Sequence, residues 1–276
     1  MAGSVKIKYI FLIFGVTLIL SCSDSENLGG GMSTQKNKMK VISLSKLSSG
    51  YELSSENWKA FLRCWDSKQT NELYAKDDQR VVFQFDFEKR SKKSQAYDKE
   101  LVEKNLGIKL PPSLNDFYSA FYDLKGVFIK HGAESSVGIF SPLEVMPLKE
   151  YSLELIDIER EWAVDSPDNE YYVYGIEQDP LPGRFSYFSE SLVIGKVGFS
   201  SYELILMYPT SKTIDGEMEF AILSHAYEFR APSFAEMMKQ ISFLYTKDKD
   251  TMPPYAQSEL KGSCADLLPL ENIWWK

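Results

Sequence analysis

The sequence predicts an α+β domain, with a mainly antiparallel β-sheet and helices packed against it. Three observations carry this expectation. Two short amphipathic segments meet at a Pro-Pro elbow, Pro111–Pro112. The second half of the chain is a succession of aromatic and β-branched runs, several of them separated by Gly and Pro, which is the composition of strands. A capped amphipathic segment then begins at Ser233.

The chain of 276 residues is 44% hydrophobic and 14% aromatic, enough to bury a real core in one large domain or two small ones. Residues 1–21 read as a leader. Lys6 and Lys8 give it a positive start, and Tyr9–Leu20 is an apolar run too short to span a membrane comfortably but suited to a signal-peptide core. Ile19-Leu20-Ser21-Cys22 resembles a bacterial lipoprotein processing site, which makes Cys22 the expected lipidation position. An ordinary secretory signal and an uncleaved anchor are the competing readings, and a start at Met32 would remove the leader altogether. Residues 22–40, polar and centred on Gly29-Gly30-Gly31, form a flexible tether. Residues 41–276 make the folded body, with an N-terminal extension at 41–95 and a Pro- and charge-containing tail at 247–276 that ends in Trp274-Trp275 and is expected to dock back.

Within the body, Ser54–Asp66 is expected to be helical, with Trp58, Phe61, Leu62 and Trp65 forming a core-facing stripe. Val81 to Phe87 alternates like a half-buried strand, and Lys89–Lys93 reads as a surface loop. From Tyr97 to Gly126 two helices are expected. Leu101, Val102 and Leu106 share a face of the first; Leu114, Phe117, Tyr118, Phe121 and Leu124 form the stripe of the second. Ser113 and Asp116 are placed to open the second helix and Gly126 to stop it.

Val137–Phe140 and Leu143–Leu148 read as short strands or extended segments. Tyr151–Trp162 reads as a helix with Leu155, Ile158 and Trp162 on one face. Tyr171–Tyr174, Phe185–Phe188, Leu192–Val197, Tyr202–Tyr208 and Glu217–Leu223 are the expected strands. The run Leu204–Met207 is apolar on both faces and belongs at the sheet centre. In Glu217–Leu223, Met218, Phe220 and Ile222 are expected to face inward, Glu217 and Glu219 outward, after an Asp215-Gly216 turn. Ser233-Phe234-Ala235-Glu236 is a capping box, and Phe234, Met237, Met238, Ile241 and Leu244 are the buried face of the helix it opens.

The run Glu103-Lys104-Asn105-Leu106-Gly107-Ile108-Lys109-Leu110-Pro111 resembles the opening signature of the SUKH superfamily, in which an acidic residue precedes a Leu-Gly-x-x-Leu-Pro turn. Ser141–Leu148, Ile194–Gly198, the Asp-Gly turn between strands and the closing Ser-Phe-x-Glu helix follow the same layout, so the resemblance covers roughly residues 95–245. The glycine pair usual after the second helix is missing. The superfamily includes fungal cell-wall assembly regulators and many bacterial toxin-immunity proteins. The resemblance implies a non-catalytic immunity protein that binds and neutralises one cognate protein toxin. Members commonly neutralise cytoplasmic toxins; a lipid-anchored one would meet its toxin in the cell envelope. A lipid-anchored structural or regulatory role in cell-wall assembly is the alternative, and an envelope hydrolase a third.

A search for chemistry agrees with binding rather than turnover. His131 and His225 sit in unrelated contexts without metal-ligand spacing, so no metal site and no cofactor are expected. No nucleophile elbow, phosphate loop or dinucleotide fingerprint occurs, and nothing beside Cys64 or His131 would activate such a pair, so no catalytic residue and no small-molecule substrate are assigned. The formal net charge of −8 argues against nucleic acid as a ligand and is compatible with a basic protein partner. The membrane is expected to be met through the N-terminal lipid alone. Cys64 and Cys264 are free either to pair in an oxidising compartment or to remain separate thiols. Two acidic groups are candidate partner contacts: Asp215 with Glu217 and Glu219, and Glu161, Asp165, Asp168 and Glu170 beside Tyr171 and Tyr172, taken as exposed aromatics. The competing reading of each is a plain solvated surface, the commoner fate of such acids.

Overall fold

The first of the two short helices, α2 (Lys99–Leu106), is opened by the Asp98 carboxylate, which accepts the Leu101 N–H at 3.0 Å, and closed by Gly107 at φ +70°. The chain then doubles back over buried Glu103. Its carboxylate accepts the Leu110 N–H at 2.9 Å and the Lys109 ammonium at 2.8 Å, which fixes the turn from Gly107 to Pro111. Burial works to raise the Glu103 pKa, but these donors prevail and hold it below its ordinary value. Pro111 and Pro112 end the turn and open α3 (Pro112–Phe121). Leu114, Phe117, Tyr118 and Phe121 are buried, as their spacing predicts, whereas Leu101 on α2 is 47% exposed and leaves Val102 to face the core.

This computed structural model describes residues 44–72, 79–83, 96–130, 133–162, 165–174, 178, 184–198, 203–224, 227–244 and 264–268. The expected leader, Cys22, the tether, Phe85, Phe87, the 89–93 loop, His131, His225 and Trp274-Trp275 lie outside them.

Helix α3 ends earlier than its pattern suggests. Tyr122 leaves it at φ +64°, and Leu124 and Gly126 belong to strand β2 (Leu124–Lys130), not to the helix stripe or its stop. The remaining strands are β1 (Gln79–Phe83), β3 (Ala133–Ile139), the two-residue β4 (Met146–Pro147), β5 (Leu192–Gly198), β6 (Leu204–Lys212), β7 (Met218–Ser224) and β8 (Tyr227–Ala231). Every pairing is antiparallel, in the order β1-β2-β3-β5-β6-β7-β8, with β4 beside β5. Gly138 allows β3 to lie close against β2, because a Cβ there would collide with the Leu124 carbonyl oxygen.

Both faces of the sheet are covered. On one, Ile194, Ile205, Met207, Phe220 and Ile222 pack with α1 (Ser55–Glu72), α3 and α8 (Phe234–Leu244). The Trp58 ring sits 5.5 Å from Phe117 and 5.4 Å from Phe234, so the tryptophan stripe of α1 is core. On the other face, Val193, Leu204, Leu206, Tyr208 and Leu223 pack with α4 (Leu148–Tyr151), α5 (Leu153–Trp162) and α7 (Phe185–Ser189). Strand β6, buried on both sides, occupies the central place its composition predicts.

Three further segments differ from expectation. Phe185–Phe188 is helical, with the Arg184 carbonyl accepting the Tyr187 and Phe188 N–H groups at 2.9 Å. Tyr171 ends a single helical turn, α6 (Asp168–Tyr171), begun after Pro167. Aromatic residues mark a half-buried surface, and here that surface is helix rather than strand. On α5, Leu155 and Ile156 are buried while Ile158 is 41% exposed, so its inward face is rotated from the one its apolar spacing suggests.

Candidate partner-binding surface

Strand β7 and the turn before it carry three of the candidate acids, and their environments differ. Asp215 stands at the turn, beside Gly216 at φ +91°. Its carboxylate accepts the Ser49 N–H at 2.9 Å, the Ser49 hydroxyl at 2.6 Å and the Ser48 hydroxyl at 3.0 Å, and next to it the Ile214 N–H donates to the Leu47 carbonyl at 2.9 Å. Asp215 therefore straps the segment leading to α1 onto the hairpin. Partial burial acts to raise its pKa, but the hydroxyl and amide donors prevail and depress it.

Glu217 and Glu219, expected to face solvent, are both fully buried. Glu219 is enclosed because a second layer covers that face of β7, whereas Glu217, one residue before the strand, turns to the α3–α8 side. Glu217 reaches the start of α3, where its two oxygens accept the Ser113 N–H and the Ser113 hydroxyl, each at 2.6 Å. The Phe234 N–H at the start of α8 adds a further donor. Ser113 is thus no cap for α3. It donates to a carboxylate that caps the helix from another part of the chain, and Pro111, at the N-cap, offers no side-chain acceptor. Burial nevertheless dominates and pushes the Glu217 carboxyl up to about 7.

Glu219 lies on the opposite face and accepts the Tyr171 and Tyr174 hydroxyls, each at 3.0 Å. Tyr171, taken from sequence as exposed, is fully buried because its ring is the lid on this carboxylate. Burial and the neighbouring Glu219 charge raise the Tyr174 pKa well above its ordinary value, so its phenol remains a donor. The Arg230 guanidinium, also buried, lies 4.0 Å from the Tyr171 ring centre. The Gln178 amide holds the Arg230 backbone, accepting its N–H at 2.7 Å and donating to its carbonyl at 2.9 Å, so it occupies strand β8 at that position.

Outside this buried layer the second acidic group is displayed. Glu161, Asp165, Asp168 and Glu170 are all exposed. Asp165 accepts the Phe185 N–H at 2.9 Å and Asp168 pairs with Arg184. Arg184 lies over the rings of Tyr171, Tyr172 and Tyr187 at 4.7, 5.3 and 5.4 Å, and the Tyr172 and Tyr187 hydroxyls meet at 3.0 Å. Tyr172 is half-buried in this stack. The cluster is a stacked platform whose outer edge carries unburied carboxylates. Sequence reasoning missed Arg184, Tyr187, Tyr174 and Arg230. The density of tyrosine between 171 and 187 was the available signal, but the stacking that unites these residues is not legible from spacing.

Cys64 and Cys264 are joined by a disulfide, which also takes Cys64 out of consideration as a nucleophile. Among the described residues no group of His, Cys, Asp and Glu is placed to hold a metal ion, and no helix is long and apolar enough to cross a membrane.

The family model described as SMI1 / KNR4 family (SUKH-1) matches residues 98–240, the stretch from the cap of α2 into α8. No curated protein and no solved structure matches the chain.

Proposed function

Because the chain belongs to the SMI1/KNR4 family (SUKH-1), we propose that it is a non-catalytic immunity protein that neutralises a cognate protein toxin by occupying its surface. The family match is the observation that carries this reading. It spans α2–α7, strands β2–β8 and most of α8, and the displayed acids fall within it. The displayed acids Glu161, Asp165, Asp168 and Glu170 beside the Arg184–tyrosine stack give a basic toxin surface both charge and a stacked base to dock on. The apolar run at Tyr9–Leu20 and Cys22 support secretion and lipid anchoring, which would set the encounter in the cell envelope.

The test combines capture and genetics. The chain lacking residues 1–39 is used to capture envelope proteins and the product of the neighbouring open reading frame, and the gene is deleted with and without that neighbour. Immunity predicts a specific complex and death upon deletion when the neighbour is intact. A growth or shape defect that persists without the neighbour would instead place the protein in cell-wall assembly.

A further inference from the structure

Two segments outside the family-matched stretch complete its core. From the N-terminal side, α1 places Trp58, Phe61, Leu62 and Trp65 at zero or near-zero exposure. From the C-terminal side, the helical turn Cys264–Leu267 packs on α1 and α8 and buries Cys264 and Leu268. The Cys64–Cys264 bond, with Cα atoms 5.6 Å apart, ties these flanks to one another across a sequence separation of 200.

Helix α8 lies beside this join and is buried along its described length, polar residues included. Glu236, Lys239, Gln240 and Ser242 are all withdrawn from water, with the Lys239 ammonium 3.4 Å from Glu236. The hydrophobic effect holds α1 more firmly than it holds the Cys264–Leu267 turn. α1 has four large apolar anchors; the described buried side chains of the C-terminal turn are Leu268 and the bridged cysteine itself.

We propose that Cys64–Cys264 is a redox-operated clasp: oxidation closes the C-terminal turn onto α1 and α8, and reduction releases that turn while α1 and the sheet stay folded. Closure takes one electron and one proton from each thiol. A disulfide-bearing oxidant accepts them through a mixed disulfide and departs as a dithiol, and a dithiol reductant reverses the exchange. Cys64 is the less buried partner of the pair. Once released, the turn is tethered to α8 through residues 245–263, and the order lost is local. The clasp needs no partner protein, so it stands apart from the toxin-binding reading.

The experiment is hydrogen–deuterium exchange on the full chain with and without a phosphine reductant, beside a Cys64→Ser/Cys264→Ser double variant. Alkylation and peptide mapping report the state of each cysteine. The clasp predicts that Cys64 and Cys264 are protected from alkylation before reduction and open to it afterwards. It predicts at least tenfold faster exchange across 264–268 on reduction, unchanged exchange in α3 and β6, and a double variant whose exchange matches that of the reduced protein. Free thiols at Cys64 and Cys264 before reduction would overturn it, as would unchanged exchange at 264–268 after reduction. Loss of protection throughout α3 and β6, in reduced protein and double variant alike, would also overturn it by making the bond a staple of the whole fold.

Discussion

Glu217 and Glu219 stand two residues apart and end up in opposite layers of the molecule, solved by different chemistry. On the α3–α8 face, where the core is aromatic and aliphatic, Glu217 is received by helix starts and one serine. On the α5–α7 face, Glu219 is received by tyrosine hydroxyls beneath a layer held by arginine stacking. The first solution uses donors that the backbone must satisfy in any case, since a helix start leaves N–H groups without intrahelical acceptors. The second uses tyrosine side chains, one of which, Tyr171, also carries the arginine stacking. One face is therefore fixed by backbone geometry and the other by a set of residues that must all be present.

The strongest way to break this contrast is Glu219→Ala. It leaves the Tyr171 and Tyr174 hydroxyls buried without that acceptor, and each such loss costs about 1–3 kcal/mol, so a destabilisation of roughly 3 kcal/mol is expected in chemical denaturation. Near-UV circular dichroism from the tyrosine layer should fall with it. A cost below about 1 kcal/mol would show that the tyrosines hold together without the carboxylate.

Glu217 sharpens the contrast through pH. Its carboxyl is raised from 4.5 to about 7 in the folded state, so the folded chain keeps this proton after the unfolded chain has released it. Stability from this group is greatest below the unfolded value and is lost as pH rises through about 7. Between pH 5 and pH 8 the expected loss is roughly 2–3 kcal/mol. Glu217→Gln retains an oxygen for the Ser113 N–H and offers an amide to the Ser113 hydroxyl, so it should flatten that slope and be the more stable protein at pH 8. An unchanged slope in the variant would assign the pH dependence elsewhere.

Asp215 provides the opposite sign at smaller amplitude. Its pKa is depressed, so its contribution is present above the unfolded carboxylate value and fades as pH falls through the folded one. Asp215→Ala removes the acceptor for Ser48 and Ser49, and about 1–2 kcal/mol should be lost. Faster exchange across 47–53 should precede any change in β7. If the strap exchanges no faster, the Leu47–Ile214 backbone bond suffices to hold it.

The fold was legible where local chemistry and burial agree. The spacing of Trp58, Phe61, Leu62 and Trp65 places them in the core, the two-sided apolarity of Leu204–Met207 makes β6 central, and Ser233 caps α8 by accepting the Glu236 N–H at 3.1 Å. The Leu-Gly-x-x-Leu-Pro resemblance proved structural in meaning, since Glu103 holds that turn closed. What could not be read were relations between distant segments. Alternation in β7 identifies two faces but not that both are dry, and Ser113 looks like a cap because its true acceptor lies 104 residues away. The candidate surface was half-legible for the same reason: Glu161, Asp165, Asp168 and Glu170 are displayed, while Glu217, Glu219 and Tyr171 are enclosed by segments the strand pattern does not mention.

The smallest expected effect on stability separates display from support. Glu161→Lys changes an exposed side chain at the end of α5 and should move the unfolding free energy by less than about 0.5 kcal/mol. If the acidic edge steers a basic toxin, the same change should slow association and weaken its dependence on salt, with dissociation nearly untouched, because rim charges act on encounter more than on the docked state. Arg184→Ala makes the complementary case: it removes the cation that stacks on Tyr171, Tyr172 and Tyr187 and pairs with Asp168, so it should loosen the platform and act on dissociation. Stopped-flow binding to the captured toxin at two ionic strengths distinguishes the two variants. Equal association rates for wild type and Glu161→Lys at low salt would move the docking surface off this edge, and the layer held by Glu219 would then be architecture alone.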